Sequence, residues 1–276
     1  MEKISIVLLN YLNYADTLEC VNSILEMEYE LAGIVIVDNH SNNESFKKLY
    51  KKYVQSDKII VVRTGKNYGF AKGNNIGIRI ARERFGSDFI FVANNDILFM
   101  KQDYFDKLLE NYTDGVGVIG SEIRTRGNRV QRRFSIPITV RENLVLYKRD
   151  FFIKHTKGSW VSLPSRPGPR VTALHGCALL LTPDFFKYYK GFYKRTFLYS
   201  EEEILYFMCK KFDLEQRYVR DTYIFHKEDK SSELSFHNDN KVRSSYALQS
   251  RKYVLWWIIK DKLRTKLISC KKVKKI

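Results

Sequence analysis

The sequence predicts an α/β fold: a mixed, mainly parallel sheet with helices on both faces, followed by a helical C-terminal extension. Three observations carry this expectation. Apolar runs of strand length recur through residues 1–100 without polar alternation, as strands buried on both faces require. Each run is followed by a stretch with apolar residues at helical spacing. Polar and acidic clusters, Asp38-Asn39-His40-Ser41 and Asn94-Asn95-Asp96, close two of the runs. Short strands alternating with helices give parallel sheets, and such sheets bind ligands at the carboxyl ends of their strands.

Residues 4–9 form the first apolar run. Helical spacing follows over 16–27, with Leu18, Val21, Ile24 and Leu25 on one side. Residues 34–37 are a second strand, 45–54 a second helix and 59–62 a third strand. Residues 71–85 are a third helix, apolar at Ile76, Ile80 and Ala81, and 89–93 a fourth strand. After about residue 120 the alternation fades. Residues 124–133 are basic, and 159–170 hold three of the five prolines and read as a loop. Residues 174–181 read as one buried strand, 202–212 as a helix and 224–226 as the end of a last strand. Residues 240–270 read as helical, which divides the chain into a domain of residues 1–238 and a basic, aromatic extension of 239–276.

The 276 residues, 44% of them hydrophobic, suffice for one large domain. The net charge of +17 is unevenly placed. Residues 1–100 carry 12 Lys/Arg and 12 Asp/Glu; residues 251–276 carry 10 against 1. A polyanion-binding protein should spread its footprint across the whole fold, so nucleic acid is not the expected partner. A basic helix bearing Trp256 and Trp257 suits an anionic membrane surface. Cys20, Cys177, Cys209 and Cys270 form no CxxC pair, and no apolar run is long enough for a signal peptide or a membrane span. The expected location is the cytoplasm, peripheral at the inner face of the cell membrane.

Four pieces carry chemistry. Asp38, with Asn39, sits where a carboxylate can accept from a pyrimidine N–H or a ribose hydroxyl, or can simply close an Asx turn. The loop Asn67-Tyr68-Gly69-Phe70-Ala71-Lys72-Gly73-Asn74-Asn75 offers Gly69 and Gly73 for close backbone approach, and a helix start that can face a phosphate. Asp96 ends a buried strand, where one carboxylate with amide oxygens can hold Mg²⁺ or Mn²⁺ beside a diphosphate. Glu201-Glu202-Glu203 opens a helix; adjacent carboxylates repel, which raises one pKa and makes a better base.

In this order and spacing the four pieces resemble glycosyltransferase family 2, with the GT-A fold. Within it they are most similar to bacterial rhamnosyltransferase-like enzymes of surface polysaccharide assembly. The resemblance is strongest over the first hundred residues and continues more loosely to about residue 232. It implies inverting transfer of a hexose or deoxyhexose from a dTDP- or UDP-linked donor to a saccharide acceptor, expected to be lipid-linked. It implies nucleotide contacts from Asp38, Asn39, Asn67, Gly69, Gly73 and Asn95. Asp96 and His226 would hold Mg²⁺ or Mn²⁺, Glu202 would be the base with Glu201 beside it, and Trp160, His175 and Gly176 would meet the acceptor. Asn94 stands where the family's metal motif has its first Asp, so a catalytically inactive relative is the alternative, as is a polyanion-binding protein.

Overall fold

The computed structural model describes residues 2–131, 133–156, 169–227 and 239–273, with side chains to residue 266. Its first half is the predicted alternation. Strands β1 (Ile4–Asn10), β2 (Gly33–Asp38), β3 (Ile59–Arg63) and β4 (Phe89–Asn94) alternate with helices α1 (Tyr14–Leu25), α2 (Ser45–Tyr53) and α3 (Gly69–Phe85). They pair in parallel in the order β3-β2-β1-β4. Successive residues point to opposite faces, so each strand feeds two cores. Ile6, Ile36 and Phe91 enter one cluster with α1 and α4; Val7, Val35 and Val92 enter the other with α3 and α7.

The second half holds more structure than the sequence shows. It comprises β5 (Ile97–Phe99), α4 (Tyr104–Glu110), β6 (Val116–Thr125), β7 (Arg129–Val130), β8 (Phe134–Pro137) and α5 (Val140–His155). After these come β9 (Arg170–Ala173), β10 (Ala178–Leu181), α6 (Pro183–Phe186), α7 (Glu201–Lys211), β11 (Glu215–His226) and α8 (Asn240–Val273). The sheet continues β4-β10-β6-β11-β5, with β10 antiparallel to both neighbours and β11 parallel to β6. Of the run read as one strand over 174–181, only the last four residues are strand, and the strand before it, β9, ends at Ala173. β9 pairs with β8 in a separate two-stranded sheet, and a turn through His175-Gly176-Cys177 leads into β10. That turn hands the chain from one sheet to another at the carboxyl end of β4, where the Asn94 amide donates to Cys177 O at 2.8 Å.

The C-terminal helix α8 is packed into the domain. Val254, Trp257 and Ile258 are buried in the same cluster as α7. Lys210 Nζ on α7 meets Asp261 Oδ2 at 2.6 Å, and Arg251 reaches Asn143 on α5 at 3.0 Å. Trp256, the other half of the Trp pair, is exposed.

Candidate active site

The carboxyl ends of β1, β2 and β4 meet in a buried polar network. Asp38 is fully buried; Oδ2 accepts from Asn10 Nδ2 at 2.7 Å and Oδ1 from the Ser41 amide at 3.0 Å. Thr17 Oγ1 donates to Asn10 Oδ1 at 2.9 Å, and Asn95 Nδ2 donates to Thr17 Oγ1 at 3.0 Å and to Asn13 O at 2.9 Å. Asp38 therefore closes the loop after β2 from a fully buried position. Asn39 latches the next loop. Its Oδ1 accepts the Tyr68 amide at 3.0 Å, and its Nδ2 donates to Asn67 Oδ1 at 2.9 Å. Asn67 Oδ1 in turn takes the Gly69 amide at 2.9 Å.

Gly69 and Gly73 do allow close approach, but to the chain itself. Gly69 has φ +76°, and a Cβ there would stand 2.1 Å from Phe197 O. A Cβ on Gly73 would stand 2.6 Å from Leu9 Cδ1. The Phe70 amide donates to the same Phe197 carbonyl at 2.8 Å. This contact ties the loop before α3 to the segment that leads into α7.

Two residues of that segment, Tyr199 (φ +71°) and Ser200 (φ +65°), are left-handed without being glycine. Consecutive backbone strain of this kind concentrates at functional sites. α7 then starts at Glu201. The Gly176 amide donates to Glu202 Oε1 at 3.2 Å, and a Cβ at Gly176 would stand 2.7 Å from that oxygen. Gly176 thus makes room for Glu202. His175 stacks on Phe134 with ring centres 4.6 Å apart. Burial and then the neighbouring His226 push its pKa down to about 4, so the ring is neutral. Its Nδ1 faces the Cys177 amide at 3.3 Å, which leaves the proton on Nε2. A cavity of about 400 Å³ opens here, lined by Glu201, Glu202, His175, Phe134, Tyr199 and Arg251 among others.

Asp96 and His226 face each other beside this cavity. Asp96 Oδ1 is buried, has no hydrogen-bond donor, and lies 3.4 Å from His226 Nε2. His226 Nδ1 meets Gln131 Oε1 at 3.2 Å, which in the neutral ring places the proton on Nδ1. Two lone-pair atoms then point at one another, an arrangement that fits a cation. Among the described residues no third His, Cys, Asp or Glu joins them. A metal ion here would take its remaining oxygens from a diphosphate or from water. The His226 and His175 rings lie 6.0 Å apart, linking this pair to the acid-lined cavity. Trp160 lies outside the described residues. Sequence reasoning missed Arg251, which lines the cavity from α8, and the strained Tyr199-Ser200 pair; neither carries a motif.

Glu201 is pushed up to about 8, by burial first and by Glu202 next, and Glu202 is raised by burial. A carboxyl whose folded pKa exceeds its unfolded value near 4.5 opposes folding once it must ionise. The cost is absent below the unfolded value, grows through the interval and is complete above the folded one. Glu201→Gln should therefore raise Tm at about pH 9 and leave it unchanged at about pH 3, by roughly 2–4 °C for each kcal/mol relieved. A pH-independent change in thermal melts would refute this origin.

Comparison with known proteins identifies the family and the fold. Residues 5–164, more than half of the chain, match the family described as Glycosyl transferase family 2. A curated relative from Haloferax volcanii, "Low-salt glycan biosynthesis hexosyltransferase Agl10", is 25% identical over 126 residues. The match is 46% of this chain and spans 38% of that protein. Among solved structures, GalNAc-T7 with UDP, GalNAc and Mn²⁺ superposes with TM-score 0.60 at 14% identity, covering 88% of this chain and 47% of that one. The mannosyltransferase PcManGT from Pyrobaculum calidifontis, with GDP-Man and Mn²⁺, gives 0.57 at 12% identity over 93% and 73%. S. aureus TarS 1-349 gives 0.54 at 13% over 93% and 70%. At such identities the solved structures establish the fold, which is GT-A. The chain belongs to glycosyltransferase family 2.

Proposed function

We propose that the chain transfers a hexose or deoxyhexose, with inversion, from a nucleoside diphosphate sugar to a saccharide acceptor. The observation that carries this reading is the meeting of Glu202, held by the Gly176 amide, with the cavity beside the Asp96–His226 pair. The donor nucleotide would lie over the carboxyl ends of β1 to β3. The loop there is shaped by Asp38, Asn39, Asn67, Gly69 and Gly73, and Asn95 fixes the end of β4. Glu201, raised to about 8, keeps a proton at neutral pH, and its neighbour Glu202 is the base. Glu202 takes the proton of the acceptor hydroxyl, whose oxygen attacks the anomeric carbon. The bond from that carbon to the diphosphate breaks, and the nucleoside diphosphate leaves on the opposite face. Neutral His175 and Gly176 border the acceptor side, with Trp160 as a further candidate there. Mg²⁺ or Mn²⁺ at Asp96 and His226 would supply positive charge against the diphosphate.

The relatives support a nucleotide-sugar donor: GalNAc-T7, PcManGT and TarS have been solved with UDP, GDP-Man and UDP-GlcNAc. Agl10, a hexosyltransferase of glycan biosynthesis, supports a glycan product, and a dTDP- or UDP-linked donor remains our choice. We place the enzyme at the inner face of the cell membrane, with a lipid-linked acceptor of cell-surface polysaccharide synthesis. No described helix is long and apolar enough to cross a membrane. The support is the exposed stripe of Trp256, Ile259 and Leu263 on α8, with Lys260 over the Trp256 ring at 4.5 Å.

Three outcomes test these readings. Glu202→Gln should lower transfer roughly a hundred-fold or more while donor binding survives; wild-type turnover would hand the role of base to Glu201. Asp96→Ala should abolish the Mn²⁺-dependent part of donor binding in calorimetry across UDP-, dTDP- and GDP-sugars, and unchanged binding would move the metal elsewhere. On anionic vesicles, co-sedimentation should fall when Trp256 and Leu263 are both replaced by Ser, and should fall with salt. Equal binding by the variant would release α8 from this role.

A further inference from the structure

Two arginines, Arg149 and Arg251, stand among the acids that line the cavity, and the second is supplied from the far end of the chain. Arg251, on α8, is 7% exposed. Its Nη1 lies 2.5 Å from Glu203 Oε2 and 3.0 Å from Asn143 Oδ1. Asn143 is fully buried and fixed in turn, its Nδ2 donating to Pro137 O at 3.0 Å and Thr139 O at 3.1 Å. A rigid path therefore runs from the end of β8 through α5 and Arg251 to the first turn of α7. Neighbouring α8 residues hold the strained segment just before that turn. Tyr246 stacks on Phe197 with ring centres 4.5 Å apart, and Ser250 Oγ donates to Leu198 O at 2.8 Å.

We propose that Arg251 is a positioning residue for the catalytic acids: it carries the charge of Glu203 and fixes the first turn of α7, so that Glu202 stays ionised and aimed at the cavity. This rests on the reading of Glu202 as base. The charges around the pair come from every packed element. α7 gives Glu201, Glu202 and Glu203; α5 gives Arg149 and Asp150; α8 gives Arg243 and Arg251; the turn before β10 gives His175, and the segment before α7 gives Tyr199. Arg149 is engaged with its own neighbour Asp150 at 3.1 Å, and Arg243 lies beside Tyr199. The ion pair to Glu203 is made by Arg251. Glu203 raises both Glu201 and Glu202 by repulsion, so its neutralisation bears directly on the base. Removal of Arg251 leaves that repulsion uncompensated and moves the titration of the pair upward. Removal of Glu203 alone leaves Arg251 unopposed and moves it downward.

The test uses the full chain with ¹³C-labelled glutamate, titrated by NMR in wild type, R251M, R251K, E203Q and E203Q/R251M. In parallel the pH profile of UDP-, dTDP- and GDP-sugar hydrolysis is followed with Mn²⁺, water serving as acceptor. R251M should raise the apparent pKa of the pair, and the acid limb of hydrolysis, by about one pH unit, with about a ten-fold loss of rate below the limb. R251K should recover part of this, E203Q should shift the titration the opposite way, and the double variant should return close to wild type. E203Q retains the answer if R251M fails to fold. Unmoved titrations in E203Q and in folded R251M, or a double variant shifted as far as R251M, would overturn the proposal. A wild-type chain inert towards every donor would instead defeat the transferase reading, while the titrations would still decide the role of Arg251.

Discussion

The carbonyl of Phe197 is the contact on which the site depends. It accepts the Phe70 amide at the start of α3, and Gly69 passes so close that no side chain fits between them. The Phe197 ring rests on Tyr246, and the next carbonyl is held by Ser250. The chain then passes through two left-handed residues into Glu201. Each such residue costs on the order of 1 kcal/mol or more, and persists where surrounding contacts over-determine it. Those contacts come from α3 on one side and α8 on the other. The loop before α3 and the helix that carries the acids are thereby held in register through one stretch of backbone.

The strand ends supply the second rigid element. Asp38, Asn10, Thr17 and Asn95 join β2, β1, α1 and the end of β4 through a buried chain of hydrogen bonds. Buried networks of this kind are costly when incomplete and specify one geometry when complete. Asp96 lies next to Asn95 but outside the chain of bonds, with one oxygen left unpaired against His226. Asp96 thus differs from its satisfied neighbours in keeping a buried oxygen without a hydrogen-bond donor.

The parallel half of the sheet is legible in the sequence because β1, β2 and β4 are buried on both faces and the edge strand β3 is half-buried, so all four read as mainly apolar runs. The other half is not. β6 and β11 pair across about a hundred residues, and β11 mixes exposed, half-buried and buried positions instead of forming an apolar run. The run over 174–181 looks uniform, yet Gly176 bends it so that Glu202 can approach. The acidic triplet and Asp96 are visible because carboxylates at strand and helix ends are unusual in apolar surroundings. What Asn39, Asn67 and Gly69 touch is not visible, since a loop that cradles a ligand and one that cradles its own chain use the same residues. Arg251 carries no signal at all: one basic residue on a basic helix looks solvated until Asn143 and Glu203 are seen to enclose it.

The two sides of helix α8 face different surroundings. At 100° per residue, Tyr246, Ser250, Arg251, Val254, Trp257 and Ile258 share one face, which meets the domain. Lys252, Trp256, Ile259 and Lys260 with Leu263 lie towards the other, which is open. The buried face fixes Phe197, Leu198 and Glu203, so the helix cannot shift along its axis without moving the acids. A membrane attached through the open face would then be held at a set orientation to the cavity, because the same rigid helix contacts both. Residues on either side of 238, separate in sequence, therefore pack together in space.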